Sequence, residues 1–236
     1  MMDMAQTYLD KIRRRREEIL ERVDIALDHA GRHREDLKIM AVSKTVDIDA
    51  AADAVRAGYT LLGENRPQEL VRKFEGLRAI ENLPEYRLDM IGNLQKNKIN
   101  AVLGHAGLIH SIESAALARA VSERAARRVE AGELSAPQRV LLEVNVSGEE
   151  SKSGFEPEAL RACIEELMEL SGISICGLMT MAPRGSKEVA AKTFAGLREL
   201  RELSCGMSED FDVAIEEGST LIRLGRVAFN PSFALQ

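Results

Sequence analysis

Val140-Leu141-Leu142-Glu143-Val144 is a nearly unbroken apolar run, and Ile173-Ser174-Ile175-Cys176-Gly177-Leu178 is a second. A strand with one wet face alternates apolar and polar residues. One that is apolar on both faces belongs in a parallel sheet covered on both sides. Outward from these two, strand-like runs recur at 37–43, 59–63, 86–91, 107–111, 138–146, 173–179, near 203–207 and at 220–224. Helical patterns fill the intervals at 47–57, 66–78, 94–103, 113–131, 156–170, 186–202 and 208–217. Asp47 is placed to cap the first of them, and Ser208-Glu209-Asp210 crowds acid into the first turn of the last. Eight strands alternating with helices over 236 residues predict an α/β fold, a single (β/α)8 TIM-type barrel, with a doubly wound open sheet as the alternative. A charged amphipathic pattern ended by Gly31 predicts an additional N-terminal helix, within 1–31, packed where the helix after strand eight would sit. No linker, repeat or low-complexity segment divides 1–236, which therefore reads as one domain.

Charge and cysteine content narrow the function classes. A net charge of −6 argues against non-specific nucleic-acid binding, and the basic tract Arg13-Arg14-Arg15-Arg16 runs straight into Glu17, Glu18 and Glu21. That spacing is a solvated helix face with pairs three and four residues apart. Cys163, Cys176 and Cys205 are odd in number and form no CxxC, so neither a disulfide framework nor a zinc site is expected. His29 and His33 share a helical spacing but lack an HExxH context and further ligands. No apolar stretch is long enough for a membrane span and no signal region opens the chain, so a cytoplasmic protein is expected.

In a barrel the chemistry gathers just beyond the carboxyl ends of the strands. Those positions are Ser43-Lys44, Gly63-Glu64-Asn65, Ile91-Gly92-Asn93-Leu94-Gln95, Asn145-Val146-Ser147, Met179-Thr180-Met181-Ala182-Pro183, Gly206-Met207-Ser208 and Arg223-Leu224-Gly225-Arg226. Lys44 follows the apolar run 37–43, where its amine can hold an aldehyde as a Schiff base. Ser208 reads either as a plain helix cap or as a phosphate ligand at the positive end of that helix. Gly225 reads as a loop bend or as a point where backbone amides of Gly225 and Arg226 approach phosphate. Arg223 interrupts the apolar strand Leu221-Ile222-Leu224, so a salt bridge competes with a ligand contact there. A lysine, an inward arginine and a phosphate cup together suit pyridoxal 5′-phosphate (PLP).

The same residues carry a resemblance. Ala41-Val42-Ser43-Lys44, Gly63-Glu64-Asn65 with Gln68-Glu69, Ile91-Gly92 with Leu94-Gln95 and Asn97-Lys98, Ser151-Lys152-Ser153-Gly154, Gly177-Leu178-Met179-Thr180-Met181, Gly206-Met207-Ser208, and Gly218-Ser219-Thr220 through Arg223 and Gly225 resemble the pyridoxal phosphate homeostasis protein family across about 35–229. The resemblance implies a barrel similar to the N-terminal domain of alanine racemase. It implies that Lys44 forms the Schiff base, that Asn65 lines the site, that Arg223 faces the pyridine nitrogen, and that Ser208, Gly225 and Arg226 hold the phosphate. A cation at that nitrogen disfavours ring protonation and weakens the ring as an electron sink, whereas an acid would do the reverse. The chain departs from the family pattern at Leu88-Asp89-Met90, where an aromatic-His-aromatic run is usual, at Pro67, and at Asn230-Pro231.

The expected role is a PLP carrier of intracellular homeostasis without strong turnover, whose partners are PLP and PLP-requiring apoenzymes. Neither nucleic acid nor membrane is expected as a partner, and self-association is expected to go no further than a weak dimer. A racemase of the alanine racemase type is the alternative. It needs a second base on the opposite face of the cofactor, and the tyrosines Tyr8, Tyr59 and Tyr86 are not placed for that role. A Schiff-base aldolase would place its lysine elsewhere than on strand one.

Overall fold

The computed structural model describes residues 7–146, 153–182, 190–191, 203–230 and 232–233. Eight parallel strands form a closed ring in chain order. They are β1 (Lys38–Val42), β2 (Leu61–Glu64), β3 (Arg87–Met90), β4 (Ile109–Ile112), β5 (Gln138–Glu143), β6 (Ile173–Met179), β7 (Leu203–Ser204) and β8 (Leu221–Leu224). β8 returns to β1 through the pairs Lys38 with Leu221 up to Ala41 with Leu224, which settles the choice between barrel and open sheet. The helices are α1 (Tyr8–His29), α2 (Ile48–Arg56), α3 (Pro67–Arg78), α4 (Ile99–Val102), α5 (Ala115–Glu130), α6 (Pro157–Met168), α7 (Phe211–Glu216) and α8 (Arg226–Phe229).

Two of the expected helices differ. The pattern at 94–103 becomes a 3-10 turn, Lys96–Lys98, followed by the single turn α4. The expected helix at 208–217 begins only at Phe211, because Asp210 Oδ1 accepts the Met207 N–H at 2.6 Å and closes a turn ahead of it. Ser208 therefore sits in that turn and does not cap a helix. Most of the expected helix at 186–202, together with Ser147, Ser151, Lys152 and Pro183, lies outside the described residues.

α1 starts with a reciprocal cap: Thr7 Oγ1 accepts from the Asp10 N–H while Asp10 takes the Thr7 N–H. Its stripe of Ile12, Ile19, Val23, Ala26 and Leu27 is buried against α2, α7 and α8, the position expected for an added helix. None of the described helices is long and apolar enough to cross a membrane.

Strand partners in a parallel ladder point to the same side, so the register sorts the side chains. Met40, Val42, Leu61 and Leu221 pack together inside the ring, and Leu108, Leu141 and Met179 form a second inner group. Ile39, Ala41, Ile222 and Leu224 face outward into the layer under the helices. Gly63 belongs to the inner set, since a Cβ there would lie 2.5 Å from the Met40 sulfur.

One ion pair is buried outside the ring, beneath the exits of β1 and β2. The fully buried Lys73 of α3 donates to the Ser43 carbonyl at 2.5 Å and to Glu64 Oε1, and Ser43 Oγ donates to the same carboxylate at 2.7 Å. These contacts brace the residues immediately before Lys44 and Asn65. Breaking a buried pair by removing one partner leaves an uncompensated charge. Lys73→Met should therefore cost about 3–5 kcal/mol in urea unfolding. Adding Glu64→Gln should recover much of that loss; a double variant no more stable than Lys73→Met would show that the cost is packing alone.

Candidate functional site

Lys44 occupies the first turn position after Ser43 and is exposed, with no hydrogen bond or ion pair among the described residues. Its backbone is nonetheless well fixed, because Ser43 donates its N–H to Gly63 O at 2.9 Å in addition to its contacts with Glu64 and Lys73. Asn65, half-buried, follows Glu64 at the next strand exit. A Cβ at Gly92 would fall 2.2 Å from the Asn65 carbonyl, so glycine alone lets the β3 exit press against the β2 exit. The Gly92 carbonyl in turn accepts from Ser111 Oγ at 2.6 Å, tying in β4.

At the neighbouring exits of β7 and β8, beside β1, the structure brings Ser208, Gly225 and Arg226 together. The Val227 N–H donates to Ser208 Oγ at 3.4 Å, across the gap between the loop after β7 and the start of α8. Gly206 makes that loop possible: its φ is +94°, and a Cβ would lie 2.6 Å from Ala214 Cβ. Gly225 is different. Its φ is −95°, and an added Cβ would meet only ordinary contacts with Val42 at 3.6 Å and beyond. Protein packing thus does not demand glycine there, and the space beside its backbone is open to the mouth. The Arg226 side chain is engaged with Glu209 and lies over the Phe233 ring at 5.0 Å.

Arg223 is 6% exposed and points into the ring. One terminal nitrogen donates to the Ser204 carbonyl at 2.7 Å and to Ser204 Oγ at 2.5 Å; the other reaches the Thr180 carbonyl at 3.4 Å. The salt bridge weighed from sequence is not formed among the described residues. Among the described residues the cation is held by neutral oxygens at the carboxyl ends of β6 and β7, and no carboxylate neutralises it directly. Burial pulls its pKa down, while Cys205, Glu143 and Asp210 pull the other way.

Several buried polar residues received no role from the sequence, although Asp89 stood out as a departure from the family pattern. Glu143, 4% exposed and inside the ring opposite Met179, has its carboxyl pushed up to about 7, by burial first and then by Glu113, with Arg223 opposing. It had been visible as the charge within an apolar run. Asp89 and His110 are fully buried and hydrogen-bonded to each other. Lys73 was signalled by its place on the apolar stripe Leu70, Lys73, Leu77 of α3. No cluster of three or more metal-ligating side chains occurs among the described residues.

The donor set, an exposed strand-end lysine, a buried arginine without a carboxylate and a glycine-lined turn beside a hydroxyl, fits an anionic aromatic aldehyde. Comparison with known proteins agrees with that chemistry. Residues 16–229 match the family model described as the alanine racemase N-terminal domain. The chain is 38% identical over 224 residues to the pyridoxal phosphate homeostasis protein of Aquifex aeolicus, covering 89% of this chain and 94% of that one. It is 33% identical to the protein of the same name from Escherichia coli K12, over 90% of this chain and 93% of that one. Among solved structures, PipY of Synechococcus elongatus PCC7942 with PLP bound has a TM-score of 0.77 at 31% identity, covering 93% of this chain and 100% of that one. Alanine racemase of Clostridium difficile, at 16% identity and a TM-score of 0.64 over 89% of this chain and 57% of that one, shares the fold. The chain belongs to the pyridoxal phosphate homeostasis protein family.

Proposed function

We propose that this single-domain barrel binds PLP at the carboxyl ends of its strands, holds it reversibly through Lys44, and serves PLP homeostasis in the cytoplasm by yielding it to PLP-requiring apoenzymes. The observation that carries the reading is Arg223, a buried cation without a carboxylate partner among the described residues, sharing one mouth with the exposed amine of Lys44. When bound, PLP supplies an aldehyde that an amine captures reversibly, a phosphate, and a ring able to delocalise charge. Lys44 provides the amine and Asn65 the wall beside it. The Ser208 hydroxyl and the backbone at Gly225 and Arg226 provide donors for the phosphate. Arg223 presents a permanent donor to the ring nitrogen and keeps protons away from it.

That last feature disfavours racemisation, since an unprotonated ring stabilises a carbanion poorly. A second base is also wanting among the tyrosines. Tyr59 and Tyr86 precede β2 and β3, at the opposite ends of the strands from Lys44, and the Tyr8 hydroxyl donates to the Phe229 carbonyl at 3.1 Å. The free thiols Cys163, Cys176 and Cys205 accord with a reducing compartment.

Mixed with PLP, the protein should turn yellow, and borohydride should fix the label on Lys44. Lys44→Ala should abolish both; an unchanged band and adduct in that variant would sink the reading. Ser208→Ala should weaken PLP binding by about 1–3 kcal/mol, the worth of one hydrogen bond to a charged group, in an equilibrium titration.

Glu143 sets a pH dependence on the PLP-free protein. Its carboxyl is pushed up from 4.5 to about 7 in the folded state, so between those values the folded chain holds a proton that the unfolded chain releases. Stability should fall as pH rises through that interval. Glu143→Gln should flatten this slope in denaturant midpoints measured across the interval, and an unaltered slope would show that Glu143 is not its source.

A further inference from the structure

Inside the ring, five side chains from four strands form one hydrogen-bonded chain. His110 Nε2 lies 3.2 Å from Asp89 Oδ2, and His110 Nδ1 lies 3.1 Å from Ser204 Oγ. Ser204 Oγ in turn receives Arg223 at 2.5 Å. At the far end Arg87 grips Asp89 with two bonds, at 2.9 and 2.8 Å. Both the Asp89 and His110 side chains are 0% exposed, so no solvent competes.

Elementary donor and acceptor rules give the chain a direction. A guanidinium only donates, so Ser204 Oγ accepts from Arg223 and its own hydrogen must go elsewhere. The acceptor within reach is His110 Nδ1, which is therefore bare. The ring then carries its hydrogen on Nε2 and donates it to the Asp89 carboxylate, which can only accept. Every group is satisfied with a neutral imidazole in one tautomer, whereas the other tautomer would aim a bare nitrogen at the carboxylate. Burial, above all, and the flanking charges of Arg223 and Arg87 also favour the neutral ring, against the pull of Asp89.

We propose that Asp89 is a positioning residue for Arg223, acting through the His110 ring and the Ser204 hydroxyl to hold the guanidinium in one orientation at the mouth. Only the identity of what Arg223 then meets rests on the PLP reading above. Because Asp89 already faces Arg87, it aligns Arg223 without cancelling its charge: one carboxylate serves two guanidiniums, and the cation at the mouth persists. The departure Leu88-Asp89-Met90 thus has a use in this chain.

The test is nitrogen NMR on the PLP-free protein. His110 should show a protonated Nε2 and an unprotonated Nδ1 around neutral pH. A protonated Nδ1, or a doubly protonated ring, would overturn the proposal with no variant needed. Asp89→Asn should shift the Arg223 guanidinium signals. That shift should vanish in a Ser204→Ala background, which cuts the chain but keeps the carbonyl that also holds Arg223, and return with Ser204→Thr. A shift that persists in Ser204→Ala, or is absent in Ser204 wild type, would overturn it equally. With PLP added, Asp89→Asn and Ser204→Ala should move the visible band in the same direction while borohydride labelling of Lys44 stays complete. Failure of the unmodified protein to take up PLP would sink the cofactor reading and leave the tautomer result standing.

Discussion

The hydrogen bonds between β8 and β1 determine what this molecule can do, because they turn a sheet into a ring. In an open sheet Arg223 would have faced a covering helix. In a closed one it shares an interior with Asp89, His110, Glu143 and Ser204, which come from strands far apart in sequence. Closure also puts all strand ends in a common rim and makes β8 a neighbour of β1, so the turns at Ser208 and Gly225 border the same opening as the turn at Lys44.

The interior so formed is divided in its chemistry. Met40, Val42, Leu61 and Leu221 fill part of it as a packed apolar core. Leu108, Leu141 and Met179 fill another part, and the polar groups of the interior cost free energy unless each donor and acceptor is met. Arg87, Asp89, His110, Ser204 and Arg223 meet one another, whereas Arg223 ends on carbonyl and hydroxyl oxygens and keeps its charge. A different solution supports the rim from outside, where Lys73 and Glu64 neutralise each other directly beneath the residues before Lys44 and Asn65. Charge is neutralised locally beneath the rim, whereas at Arg223 no carboxylate among the described residues meets it directly.

Much of this was legible in the sequence. Continuous apolar blocks such as 140–144 gave away parallel strands, and the strand reading located Lys44, Asn65 and Arg223 at the carboxyl ends of β1, β2 and β8, where the structure has them. Even β7, two residues long in the structure, left a trace near 203–207. The start of α7 was misread because the turn that precedes it is made by a side chain: Asp210 bonds back to Met207, a local competition that composition does not report. Ser208 reaches its position by the approach of two loops, a tertiary fact. The Asp89–His110–Ser204 chain was invisible for the same reason, since its members lie on β3, β4 and β7 and nothing in their spacing says they meet. Lys73 and Glu143 were different, because each broke an apolar pattern and could have been questioned on that ground alone.

The docking of α1 also bears on how the chain comes to be made. Its apolar stripe is shared between α2, which follows closely in sequence, and α7 and α8, which do not; the Tyr8 hydroxyl finds its acceptor 221 residues away. At cellular synthesis rates of about 5–20 residues per second, the helix waits on the order of 10–40 s for that part of its seat to emerge. Through that interval part of an otherwise complete amphipathic face remains open to any apolar surface nearby. Arg13 and Arg14, exposed with Glu17 and Glu21 on its other side, keep so long an exposure soluble.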